Sequence, residues 1–221
     1  MSRRNINLTL HGIGPCERPL EPGEDRVWVG VDEFGSVLDA VAGHDDVRLT
    51  FDDGNASDVV HALPALRARG LRATFFVVAG RLGEPGFLGE DEVRALADAG
   101  MGIGCHGMRH RPWRRLEERA LHEELVDART VLERVVGGPI TEAACPFGSY
   151  DRRVLSGLRA GGYRRVFTSD RGGARPDAWL QARTTLHGGS AMATADRVLH
   201  GRTPVHETLA RTPVLALKRW R

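Results

Sequence analysis

Short apolar runs and amphipathic stretches alternate along most of this chain. The runs at 6–10, 47–51, 73–78, 101–105, 141–145, 163–168 and 179–186 favour β-branched, aromatic and aliphatic residues and read as strands. Residues 27–31 alternate polar and apolar and read as a further edge strand. Helices are predicted at 34–41, from a Ser57 N-cap to about Arg69 with Gly70 as the stop, at 90–99 closed by Gly100, at 116–136, and at 151–160. The longest carries Leu121, Leu125, Val131, Leu132 and Val135 at near-helical spacing and ends at Gly137-Gly138. The 73–78 run lacks polar alternation, as expected of a strand covered on both faces. Strand, helix, strand with short connections predicts a parallel α/β architecture in one domain. Pro15 to Gly23 reads as a loop, and the residues beyond about 190 carry no clear pattern.

Composition narrows the class. A chain of 221 residues is long enough to bury one sizeable core. Its 31 basic and 29 acidic residues leave a net charge of +2, so no strong field draws it to nucleic acid or to an anionic membrane. No window approaches the roughly eighteen apolar residues of a membrane helix, so no insertion is expected. The N-terminal stretch is too short and broken for a secretion signal. Cys16, Cys105 and Cys145 are an odd number in a chain that can build its own core, which argues against a disulfide framework and favours the cytoplasm.

The chemistry gathers just after predicted strands. Asp52-Asp53-Gly54, the pair His106 and His110, and Pro146-Phe147-Gly148 all fall there, and in parallel α/β folds active sites collect at the carboxyl ends of strands. Neighbouring side chains of a strand point to opposite faces, so Asp52 and Asp53 have different jobs: one can bind a cation while the other handles a proton. His106 and His110, four residues apart, would share one side of a helical turn. Two imidazoles and a carboxylate suit zinc or another divalent first-row ion, with a position left open for water and substrate. Pro146-Phe147-Gly148 taken alone reads as a turn.

The ordered set Thr50-Phe51-Asp52-Asp53-Gly54, His106-Gly107-Met108-Arg109-His110 and Ala144-Cys145-Pro146-Phe147-Gly148 resembles the polysaccharide deacetylases of carbohydrate esterase family 4, the NodB homology domain. Ala73-Thr74-Phe75-Phe76-Val77 and Gly162-Tyr163 extend the likeness, which covers the chain to about residue 186. The resemblance implies a distorted parallel (β/α) barrel of about seven strands, formed by residues 1–221 as one domain. It implies removal of acetyl groups from N-acetylated or O-acetylated sugars or polysaccharide. By motif, Asp52 would be the general base, and Asp53, His106 and His110 the metal ligands. The metal would be zinc first, with cobalt, nickel, iron or manganese as alternatives. The backbone N–H of Phe147 would help to stabilise the oxyanion.

The resemblance also exposes departures. The family's general acid is a histidine in a Leu-x-Leu-His motif near the C-terminus, where this chain offers only Thr184-Thr185-Leu186-His187. Leu8-Thr9-Leu10-His11 fits that motif at the opposite end, and in a closed barrel the first and last strands are neighbours, so His11 is the preferred acid and His187 the runner-up. The third-motif arginine that orients the catalytic aspartate is replaced by Ala144, and the familiar tyrosine by Phe147. Arg109 and Arg183 are the candidates to replace that arginine, and Asp177-Ala178-Trp179 is a loose match to a fourth motif. Two other classes remain open, an amidase acting on a small non-sugar amide and a catalytically weak sugar-binding relative.

Overall fold

The computed structural model describes residues 4–16 and 18–201. The strands β1 (Ile6–Leu10), β2 (Val47–Asp53), β3 (Ala73–Val77), β4 (Gly102–Cys105), β5 (Glu142–Ala144), β6 (Arg165–Thr168), β7 (Leu180–Ala182) and β8 (Thr184–Thr185) form one sheet. They pair in parallel, in the order β7-β6-β5-β4-β3-β2-β1-β8. Only Arg183 separates β7 from β8, so a single stretch of chain serves both edges. Its first half pairs with β6, Thr168 opposite Ala182, and its second half with β1, Thr9 opposite Thr185. The backbone N–H of Arg183 donates to Thr168 O at 2.9 Å and that of Leu186 to Thr9 O at 2.9 Å. The sheet thereby curls into a nearly closed barrel. Counting the closing stretch once gives the seven strands expected.

Alternation along each strand sorts the barrel into an outer and an inner layer. Leu8, Leu10, Leu49, Phe51, Phe75, Val77, Cys105, Ala143 and Val166 are buried in the main apolar cluster under the helices. Phe51 stacks on Phe75 at 4.6 Å and meets Phe34 edge-on at 6.0 Å. Phe34, Val37, Leu38 and Val41 form the buried stripe of α1 (Val31–Val41) that covers them. Each such large side chain contributes roughly 1.5–3 kcal/mol on burial, so this outer layer carries most of the stability. The inner layer is smaller and more polar. Thr9 and Thr50 share a hydrogen bond of 2.9 Å, and Phe76, Ala144 and Phe167 form a separate small cluster. Glycine is required at position 104 because a Cβ there would lie 2.4 Å from the Phe76 ring.

Two expectations need correction. Residues 27–31 form no edge strand. Glu24–Val27 is a turn of 3₁₀-helix, only Val29 makes a bridge, to Ile13, and α1 starts at Val31. The alternation has another origin: Val29 is buried, while Trp28 packs on Gly12 and donates its indole N–H to Gly14 O at 2.5 Å. Ser57 is not an N-cap either. Its backbone is already helical, its hydroxyl accepts from Ile13 N at 3.2 Å, and a π-helical segment (Asp58–Ala62) leads into α2 (Leu63–Ala68). The long helix is present as α3 (Glu90–Asp98) is, but in three pieces: α4 (Glu118–His122), a π-helical segment (Glu123–Asp127) and α5 (Ala128–Val136). Gly137 closes it in the left-handed conformation. Then come α6 (Arg152–Ala160), capped by the Asp151 carboxylate on Val154 N, and α7 (Ala191–Leu199), whose first N–H groups bind Glu33 of α1. Among the described residues no helix is long and apolar enough to cross a membrane.

Candidate active site

The two aspartates stand at the carboxyl end of β2, and the backbone separates their roles. Asp52 points into the barrel. At Asp53 the backbone turns to φ 79° and at Gly54 to φ 71°, which swings the second carboxylate across the barrel mouth instead of out into the core. Both side chains are nearly inaccessible, at 3%.

Arg183 holds Asp52. Its Nη1 donates to Oδ1 at 2.6 Å and its Nη2 to Oδ2 at 2.6 Å, a two-pronged pair, while Nη1 also reaches Thr50 Oγ1 at 3.1 Å. The guanidinium is wholly buried and lies over the rings of Phe76 and Phe167. Ala144 belongs to the same small buried cluster as those two rings. Of the two candidates to replace the third-motif arginine, Arg183 is therefore the one that meets the aspartate. Arg109 is exposed and pairs with Glu123. Burial pushes the Asp52 carboxyl toward neutrality, but the Arg183 guanidinium holds it below the usual carboxylate range.

His106 and His110 face Asp53. The Nδ1 of His106 donates to Ala144 O at 2.9 Å, because a carbonyl can only accept, and this leaves Nε2 unprotonated toward Asp53 Oδ1 at 3.5 Å. The Nε2 of His110 is 3.1 Å from the same oxygen. One ligand atom from each of the three residues lies within 4.8 Å of the others. Asp53 Oδ1 is buried, yet it accepts no hydrogen bond of good geometry despite these two close nitrogens. An oxygen and two imidazole nitrogens converging without bonding one another is a donor set that fits a divalent cation. Burial lowers the His106 pKa to about 4, which keeps its ring neutral and free to ligate. Burial alone would raise Asp53, but contact with the His110 imidazole keeps its carboxyl strongly depressed.

The two histidines do not share a helical turn, as their spacing suggested. Residues beyond Cys105 form a loop, with Gly107 at φ 85° and His110 at φ 48°. What shapes the loop is Glu124, a fully buried acid in the π-helical segment. It accepts from Met108 N at 2.9 Å, Arg109 N at 3.2 Å, Arg111 Nε at 2.8 Å and Trp113 Nε1 at 3.2 Å. A Cβ on Gly107 would come within 2.2 Å of its Oε2. Sequence reasoning missed this residue, although a signal was present: with Leu121, Leu125 and Ala128 it occupies the buried stripe of the helix, where an unpaired acid would be costly. Supports of this kind typically alter metal affinity by about 10–100-fold. Glu124→Gln turns an amide toward these N–H donors and is expected to weaken any divalent-ion binding at the cluster by about that factor, read by competition with a chelating dye.

The remaining candidates fall around this centre. His11 follows the Leu10–Phe51 pair, beside Asp52, and its buried Nδ1 has no hydrogen-bond partner among the described residues. His187 lies at the same barrel edge, half-buried, two residues past the Thr9–Thr185 pair. Of these two histidines, only His11 is near enough to act electrostatically on the two aspartates. Phe147, at φ 56° in the turn Pro146–Gly148, is 63% exposed and lies 4.7 Å from the His110 ring. Cys105 and Cys145 are buried among apolar neighbours. The fourth-motif match does not reach the site: Asp177 is exposed and pairs with Arg175, and Trp179 donates to Tyr163 O at 2.7 Å. Asp58, also unforeseen, is fully buried, and neither of its oxygens is hydrogen-bonded among the described residues. Burial and the two neighbouring aspartates raise its pKa well above the usual range.

The barrel and its cluster of two aspartates and two histidines define a class, and the comparisons agree. The polysaccharide deacetylase family profile matches residues 40–166, more than half of the chain. The chain belongs to the polysaccharide deacetylase family. Bacillus subtilis (strain 168) YxkH, provisionally named a polysaccharide deacetylase, is 26% identical over 136 residues, 62% of this chain and 49% of that protein. The chain thus spans about half the length of the curated relatives it matches. Among solved structures, Streptococcus pyogenes deacetylase PplD in complex with acetate aligns at a TM-score of 0.76 with 18% identity, over 92% of this chain and 100% of that one. Ammonifex degensii IcaB aligns at 0.73 with 23% identity, over 88% of this chain and 96% of that one. The profile match includes Asp52, Asp53, His106, His110 and Phe147, but neither His11 nor Arg183.

Proposed function

We propose that this chain, as one deacetylase unit spanning residues 1–221, is a metal-dependent hydrolase that removes acetyl groups from N-acetylated or O-acetylated sugars or polysaccharide. The observation that carries the reading is the convergence of Asp53, His106 and His110 beside an Asp52 already paired with Arg183. A divalent ion held there, zinc first and cobalt, nickel, iron or manganese as alternatives, would polarise the acetyl carbonyl and acidify water. Asp52, kept ionised by Arg183, takes the proton as water attacks. The backbone N–H of Phe147 supports the developing oxyanion. His11 returns a proton to the departing amine or hydroxyl. The exposed Phe147 ring next to His110 offers a sugar a face to stack on, which favours a carbohydrate over a small non-sugar amide.

The test is acetate release from acetylated chito-oligosaccharides by the purified chain with added zinc or cobalt. Turnover should stop with a chelator and return with the metal. His11→Ala should keep the ion and lose most turnover while His187→Ala stays active; the reverse pattern would move the acid role to His187. A metal-loaded chain without turnover on several acetylated sugars would point instead to a binding protein.

A further inference from the structure

The opposite end of the barrel carries an unexplained concentration of positive charge. Where β2 to β6 begin, a hollow of about 370 Å³ is lined by Arg48, Arg72 and Arg165, with Glu142 as its one lining carboxylate. Glycine at positions 100 and 102 lets the Arg72 and Thr74 side chains lie close against the backbone at its wall: a Cβ on Gly102 would meet Thr74 Oγ1 at 2.8 Å, and one on Gly100 would meet Arg72 Nη1 at 2.6 Å. Glu142 is committed to Arg165 at 2.7 Å. Arg72 donates to Gly100 O at 2.8 Å, and among the described residues neither Arg72 nor Arg48 has a carboxylate partner. The Asn5 amide, turned so that its oxygen faces Arg48, lies 3.0 Å from Nη2 and adds no charge. Three cations against one anion leave the mouth at +2. Burial and the nearby Arg165 guanidinium both lower the Arg48 pKa, against a smaller contribution from Glu142, so the charge there is not internally compensated.

We propose that this mouth binds a dianionic phosphate group, either free or as a monoester on a small molecule. Guanidinium forks match tetrahedral oxyanions, and an excess of two charges suits a dianion better than a single carboxylate. The layer of Thr50, Phe167 and Arg183 lies between this hollow and Asp52, so the site is separate from the aspartate and histidine cluster.

The test is calorimetric titration of the full, metal-loaded chain with inorganic phosphate at constant ionic strength, with chloride and nitrate as controls. Phosphate should bind and the monovalent anions should not. Arg48→Gln and, separately, Arg72→Gln should each weaken binding about tenfold or more, the expected loss for a charge-assisted hydrogen bond. Arg72, at the rim, guards against a folding failure at Arg48. Glu142→Gln should tighten binding by removing the competing anion. A parallel titration with glycerol 3-phosphate separates the two sources, since tighter binding of the ester assigns the remaining volume to an organic group. No phosphate binding by the unaltered chain, or binding of equal strength in both arginine variants, would overturn the proposal.

Discussion

Asp52→Asn is expected to hold its metal as the unaltered chain does while turning over about a hundred to ten thousand times more slowly, the span typical of a positioned general base. The amide keeps the shape and still accepts from Arg183 through one oxygen, but it cannot take up a proton. Asp53→Asn should behave differently. The oxygen shared by His106 and His110, at 3.5 and 3.1 Å, loses its charge, and the ion should leave together with the activity. Metal content measured beside kcat for the two variants separates the roles assigned to adjacent residues. Equal metal loss in both, or an undiminished kcat in Asp52→Asn, would be incompatible with the division.

The second large effect is expected at Arg183. Removing one partner of a buried ion pair costs about 3–5 kcal/mol, since the other charge is left without compensation. Arg183→Met should therefore lower stability by that order in urea unfolding and reduce turnover together. The pH dependence gives a sharper readout. In the unaltered chain Asp52 titrates below its ordinary value, so its stabilising contribution is present at neutral pH and is lost only as acid protonates it. Without the guanidinium, burial dominates and the folded-state pKa rises above the unfolded one. The variant's deficit should then shrink as pH falls, because the protonated acid is tolerated in the interior. The acidic limb of kcat/KM should move to higher pH. A deficit that stays constant from neutral to mildly acidic pH would show that Arg183 contributes by packing alone.

What could be read from the residues follows the physics of short range. The strands, the aspartate pair and the histidine pair are legible because period-two apolar runs end in polar residues at one edge of a parallel sheet. The loop geometry around His110 is not legible from the spacing of two histidines. It depends on Glu124, a carboxylate on another element whose five polar contacts replace those a helical turn would have supplied. The choice between Arg109 and Arg183 was equally closed to pattern reading, since it turns on which strand closes the barrel. At 27–31 the alternation was real but misleading, because burial by a packed indole and a single bridge produces the same pattern as a strand.

The closing stretch at 180–185 has a consequence for how such a centre comes into being. The carboxylate that it neutralises lies 131 residues earlier in the chain. During synthesis the acidic half of the machinery emerges long before its countercharge, and the last rung of the cylinder delivers that countercharge in the same motion that seals the wall. A polypeptide halted short of Leu180 would hold Asp53, His106 and His110 yet have neither a shut cylinder nor a countercharge for Asp52. Completion of the wall and pairing of Asp52 thus depend on one and the same segment.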